Sequence, residues 1–225
     1  MINSTILPWE EIDHVLLDMD GTLLDLHFDN HFWLEYLPTR YAEARGIAVE
    51  VAKQQLPARY GDILGTLQWY CIDHWSRELE LDVALLKQEV EHLIAIHPHV
   101  IDFLGWLQES RREILLVTNA HQKSLALKLE RTQLAGYFDQ IICAHDLGLP
   151  KEDAGFWPKL QQLTPFQPER TLFVDDSLSV LIAARNYGIR YPVQILAPDS
   201  KGPRREASDF FAIRDFSEII GDKAG

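Results

Sequence analysis

The chain has 225 residues, with 34 acidic side chains against 21 basic ones and a formal net charge of -13. That length holds one good core plus a modest accessory unit, and 47% hydrophobic with 24% charged residues is the balance of a folded globular protein, not a disordered one. The negative field repels nucleic acid phosphates, so no polynucleotide partner is expected, whereas a small anionic substrate stays possible because a metal ion and a few local cations reverse the field inside a pocket.

Near the start, Glu10, Glu11 and Asp13 stand where a leader would carry basic and then apolar residues. No later apolar run approaches the roughly 20 residues of a bilayer span. The expected location is the cytoplasm, with no membrane partner. The run Val15-Leu16-Leu17, ending abruptly at Asp18, has the pattern of a strand buried on both faces. From 29 to 96 the rhythm changes to helical spacing, rich in aromatics (Tyr36, Tyr41, Trp69, Tyr70, Trp75) and punctuated by Gly46, Pro57, Gly61 and Gly65 into about four helices. Cys71 falls in this stretch and Cys143 well beyond it. Neither has paired metal-ligand spacing, so no disulfide framework or structural zinc site is expected, and both read as small buried residues.

After His97-Pro98 comes an amphipathic helix containing Ile101, Leu104 and Leu107, then a strand over 114–117 that meets Thr118-Asn119. Leu125, Leu129 and Leu134 mark a helix, Ile141-Ile142 a strand, and residues 172–174 a further strand running into Asp175-Asp176. Val180, Leu181 and Ala184 mark a helix that Gly188 ends, and 193–196 a fifth strand. A polar loop over 198–205 and a short helix containing Phe216, Ile219 and Ile220 complete the chain. This alternation predicts an α/β fold, a doubly wound parallel sheet formed by 1–28 and 97–225, with a helical unit, 29–96, inserted after the first strand.

Loops that follow parallel strands converge at one edge of the sheet, so Asp18, Asp20, Asp175 and Asp176 should share one crevice. Four carboxylates in a small volume repel unless cations or protons compensate, and oxygen donors of this kind suit Mg²⁺, which keeps several waters and shares its shell with substrate phosphate. Asp-Gly is also a common turn dipeptide, and Gly21 and Leu23 stand at the wrong positions for a calcium-binding EF-hand loop. A buried strand directly before Asp18, and comparable strand ends at Thr118 and Asp176, favour a site over a simple hairpin.

Asp18-Met19-Asp20-Gly21-Thr22, Thr118-Asn119, Lys151 and Asp175-Asp176, in this order and spacing, resemble the four motifs of the haloacid dehalogenase superfamily. The resemblance covers about residues 12–195 and implies a Rossmann-type core with a helical cap inserted after the first motif. More narrowly, the first motif, Phe28-Asp29-Asn30 with Phe32-Trp33, and residues 67–75 are similar to the superfamily's bacterial 5′-nucleotidases for GMP and IMP. The resemblance implies that Asp18 is a nucleophile forming an aspartyl-phosphate, that Asp20 is the acid and base, and that Thr118, Asn119 and Lys151 meet the phosphate. It also implies Mg²⁺ held by Asp18, Asp20, Asp176 and Asp175. Where the family pattern often places a later acid, this chain has Ser179, Val180 and Leu181; aligning Ser177 makes Asp176 the better ligand candidate, with Asp175 a second ligand or an orienting group, and their division of work stays open.

Taken alone, Thr118 suits helix capping, Lys151 a solvated surface position, and the cap aromatics a core. Trp69, Tyr70 and Trp75 could also stack on a purine, with Trp33 and His27 within reach of the crevice and Arg59, Arg77 or Lys53 meeting a nucleotide. The expected partner is thus a small phosphorylated metabolite, a purine mononucleotide foremost. The alternatives are a sugar-phosphate phosphatase, a phosphomutase needing both acids, and a non-catalytic metabolite sensor. A dehalogenase has little use for an acid at Asp20, since halide leaves unprotonated, and phosphonate cleavage would rest on Lys53.

Overall fold

His14–Leu17 form strand β1, and the computed structural model, which describes residues 7–61 and 63–221, buries Val15, Leu16 and Leu17 completely. A strand apolar on both faces needs a packed layer on each side. Val15 and Leu17 join one cluster with Phe103, Leu104, Leu107 and Val174, while Leu16 joins another with Leu115, Phe156, Trp157 and Phe173. The other strands are β2 (Glu113–Thr118), β3 (Gln140–Cys143), β4 (Thr171–Asp175), β5 (Tyr191–Ile195) and β6 (Phe211–Ile213). All pairings are parallel, in the order β3-β2-β1-β4-β5-β6. The expected doubly wound α/β core is therefore present. Its sixth strand was not expected: three residues, Phe-Ala-Ile, are too short to show a period, and pairing with β5 is what holds them.

Between β1 and β2 lies the helical stretch. Helix α1 (His27–His31) continues through a π-helical turn, Phe32–Tyr36, into α2 (Leu37–Arg45), followed by α3 (Val49–Gly61), α4 (Leu67–Tyr70), α5 (Ile72–Leu79) and α6 (Val83–Glu89). These helices bury a third cluster of their own around Phe28, Phe32, Tyr41, Leu56, Trp75 and Leu79. Gly46 ends α2 in the left-handed conformation, as a helix-terminating glycine does. Pro57 does not break α3: Ala52, Leu56 and Tyr60 are buried at four-residue spacing, and that stripe holds the helix together despite the missing N–H.

On the faces of the sheet lie α7 (Val100–Glu109), α8 (Gln122–Thr132), α9 (Ala144–Leu147), α10 (Phe156–Leu163) and α11 (Leu178–Tyr187). In α7 the buried stripe is Val100, Phe103, Leu104 and Leu107, while Ile101 faces outward. Leu134 is buried just beyond α8, in a 3-10 turn, because Gln133 has already ended the helix. The expected C-terminal helix is a single 3-10 turn, Phe216–Glu218, closed by a capping box between Asp215 and Glu218, with Phe216 and Ile219 in the core. No helix among the described residues is long and apolar enough to cross a membrane.

Candidate active site

β1 is flanked by β2 on one side and β4 on the other, with Leu17 level with Leu116 and Val174. Strand order reverses at the β1/β4 boundary, so the loops leaving these strands part and leave a crevice at the carboxyl edge. Asp18 opens onto it from β1, its N–H still on Val174 O at 3.0 Å. Asp175 closes β4, Asp176 follows it, and Thr118 closes β2. One carboxylate oxygen from each of Asp18, Asp175 and Asp176 lies within 4.8 Å of the others, and all three residues are buried.

Lys151 reaches this group from the turn after α9. Its Nζ donates to Asp18 Oδ1 at 2.5 Å, Asp175 Oδ2 at 2.7 Å and Val117 O at 3.0 Å. Burial works against its charge, but Asp175 and Asp18 outweigh that and hold the ammonium above its usual pKa. Asp175 also takes the Ser177 N–H on Oδ1 at 2.8 Å, so both its oxygens are engaged. Asp176 has the freer carboxylate of the two. Asp176 Oδ2 meets only Arg205 Nη2, at 2.6 Å, and Arg205 also donates to the Asp176 backbone carbonyl.

Burial, and then the Asp175 charge, push Asp18 up to about 6 against the pull of Lys151. Burial followed by Asp175 and Asp18 pushes Asp176 up to about 8, with Arg205 opposing. Three hard anionic donors short of positive charge are what an oxygen-seeking dication requires, and the donor set fits Mg²⁺. Gly21, at φ +83°, lets the loop pass close to it: a Cβ there would stand 2.9 Å from Asp176 Cγ.

Asp20 departs from the expected ligand set. Its carboxylate turns aside to Lys128 Nζ, 2.6 Å from Oδ1, and is not one of the three that gather. Lys128 also donates to Asp29 Oδ2 at 2.7 Å, and Asp29 Oδ1 receives Lys87 Nζ at 2.7 Å. Lys128 and Lys87 are 1% and 3% exposed, and with the half-buried Asp20 and Asp29 they form a chain of two cations and two carboxylates that sequence reading missed. A signal was there: each lysine falls on the buried stripe of its helix, beside Ser124 and Leu125 in α8 and beside Val83 and Leu86 in α6. Burial raises Asp20 to about 6, with Lys128 opposing and Asp29 and Asp18 adding to it. Asp29 is held well below the usual range because Lys128 and Lys87 outweigh its burial.

Thr118 is not the cap of α8, which is His121. Its Oγ1 accepts the Ala120 N–H at 3.0 Å, leaving the hydroxyl proton to donate. Asn119 braces Lys151: Oδ1 accepts the Lys151 N–H at 2.9 Å and Nδ2 donates to Glu152 Oε2 at 2.8 Å. Tyr70 of the helical stretch donates to Glu152 Oε1 at 2.9 Å, bridging to the same group. Trp75 is core, 1% exposed, with Nε1 on Trp69 O, and Trp33 and Trp69 pack in the same aromatic cluster. Lys53 pairs with Glu35 and Arg59 with Glu78 O at the surface, where Arg77 is also exposed, while His27 lies 3.7 Å from Asp199.

A family model described as haloacid dehalogenase-like hydrolase matches residues 12–188. The chain is 38% identical over 214 residues to the GMP/IMP nucleotidase YrfG of Escherichia coli (strain K12), covering 95% of this chain and 96% of that protein. It is 26% identical to phosphoglycolate phosphatase 1 of Pseudomonas aeruginosa, over 92% of this chain and 78% of the relative. Among solved structures, a HAD phosphatase from Thermococcus onnurineus superposes with a TM-score of 0.77 at 24% identity, over 92% of this chain and 96% of that one, a likeness of fold.

Proposed function

This chain belongs to the haloacid dehalogenase-like hydrolases and is a phosphoric monoester hydrolase, and from that premise we propose that it is a Mg²⁺-dependent 5′-nucleotidase for purine mononucleotides such as IMP and GMP, working through an aspartyl-phosphate on Asp18. The observation that carries the chemistry is the meeting of Asp18, Asp175 and Asp176 around Lys151. The purine reading draws on the relative that carries that name. Asp18, Asp175 and Asp176 would hold the metal, which when bound offsets repulsion between carboxylate and phosphate and stabilises charge on the transferring group.

The chain's own groups divide the remaining work. Asp18 attacks phosphorus in line and the ester oxygen departs, so one hard hydrolysis becomes two displacements. Asp20, with a pKa of about 6, holds a proton in part near neutrality, can give it to the departing oxygen, and can then take one from the water that cleaves the acyl phosphate. Lys151 keeps positive charge beside the nucleophile, and Thr118 offers a hydroxyl proton to a phosphate oxygen. Residues 29–96 act as a cap that selects the leaving group, over the core formed by 1–28 and 97–225.

The test is a phosphate-release screen over mononucleotides and sugar phosphates, with Mg²⁺ and with chelator, alongside Asp18→Asn. IMP and GMP should lead, chelator should silence the enzyme, and the folded variant should be inactive. Equal rates on sugar phosphates would remove the nucleotide assignment, and full turnover in chelator would remove the metal.

A further inference from the structure

Cys71, His121 and His145 come from three separate places. Cys71 caps α5 in the helical stretch, His121 caps α8 beyond β2, and His145 lies in α9 beyond β3. One donor atom of each lies within 4.8 Å of the other two, and the imidazoles meet edge to face with centroids 5.0 Å apart. Nothing in their sequence spacing announces this; only the strand order brings them together.

All three have lone pairs to spare. His145 Nε2 is buried without any hydrogen-bond partner, a costly state for a ring nitrogen. His121 is 8% exposed, and its Nε2 stands 3.7 Å from Asp73 Oδ2, too far for a hydrogen bond. Cys71 Sγ accepts only the His74 N–H, at 3.3 Å, and is in no disulfide. One sulfur and two imidazole nitrogens make a donor set for a borderline-soft transition dication; the hard ion suited to the carboxylate cluster does not select it.

We propose that Cys71, His121 and His145 bind Zn²⁺, tying the helical stretch to the α/β core. Zinc bonds of about 2.3 Å to sulfur and 2.0 Å to nitrogen are reached from this spacing by side-chain rotation, with a fourth position left to water. On binding, Cys71 gives its thiol proton to solvent and both imidazoles bind neutral. His121 binds through Nε2 with its proton moved to Nδ1, giving up one long cap bond from Lys123 N–H at 3.3 Å. Because Tyr70 directly precedes Cys71 and reaches Glu152 beside Lys151, an ion here fastens the helical stretch over the crevice.

Cobalt(II) is the probe, added to the whole protein with excess Mg²⁺ to fill the carboxylate site. A thiolate ligand gives a sulfur-to-cobalt charge-transfer band that a carboxylate site cannot produce. Expected is a band saturating at one equivalent and displaced by Zn²⁺, lost in Cys71→Ser, and needing roughly tenfold or more cobalt in His145→Gln. Alkylation of Cys71 in the unaltered protein, with Cys143 buried, provides a measure independent of variant folding, and Zn²⁺ should protect the thiol. Absence of the band in the unaltered protein, its survival in Cys71→Ser, or alkylation indifferent to Zn²⁺ would overturn the site.

Discussion

Gly21 shows how closely one position is bound to the chemistry. Its φ of +83° and the 2.9 Å from its would-be Cβ to Asp176 Cγ both require the absence of a side chain. Gly21→Ala should therefore cost about 1–2 kcal/mol in backbone strain and displace Asp176. The measurement is urea unfolding with and without Mg²⁺, and an unchanged Mg²⁺-induced stabilisation would refute the link to Asp176. Lys128 makes the converse case. Removing it in Lys128→Met leaves the half-buried Asp20 and Asp29 without their shared cation, though Lys87 stays on Asp29, a loss of about 3 kcal/mol at the low end of the cost of breaking a buried pair. A loss under about 1 kcal/mol, typical of an exposed pair, would show that the chain of charges carries little. The acidic residues of this site were legible in sequence because each follows a run of apolar residues. Lys128 and Lys87 were legible only through their places on the buried stripes of α8 and α6, and Arg205 not at all, since an arginine in a polar loop reads as solvated until packing shows otherwise.

At the scale of elements, β1 and β4 deliver their carboxylates to the same edge because they are adjacent and parallel, and repulsion is built into that pairing. Asp18 stands at about 6 and Asp176 at about 8, against 3.8 for an unburied aspartate. Groups raised in this way hold protons in the folded state that the unfolded chain has released. Their contribution to stability is whole below about pH 4 and is lost as pH rises through 6 toward 8. Mg²⁺ needs the same carboxylates ionised, so the rise in Tm on adding it should be larger at pH 8 than at pH 5, measured by calorimetry. An equal rise at both would contradict a site built on these groups. The strands themselves were readable from apolar runs, whereas β6 and the continuity of α3 through Pro57 depend on partners that no local pattern reveals.

Across the whole molecule, two apolar layers fix the sheet, a third cluster lies within the helical stretch, and Tyr70 and Lys128 span the seam between the stretch and the core. The order of elements along the chain was enough to foresee the doubly wound sheet. It could not foresee which polar groups meet across the seam, since those contacts join residues as far apart as Asp29 and Lys128. In the proposed mechanism Asp18, held at the strand reversal, supplies the oxygen of the new bond to phosphorus. Acid-quenching the enzyme during turnover of IMP, reducing the acyl phosphate with borohydride and sequencing the peptides by mass spectrometry tests this directly. Expected is homoserine at position 18, absent without substrate; reduction at any other carboxylate, or none while phosphate is released, would contradict it.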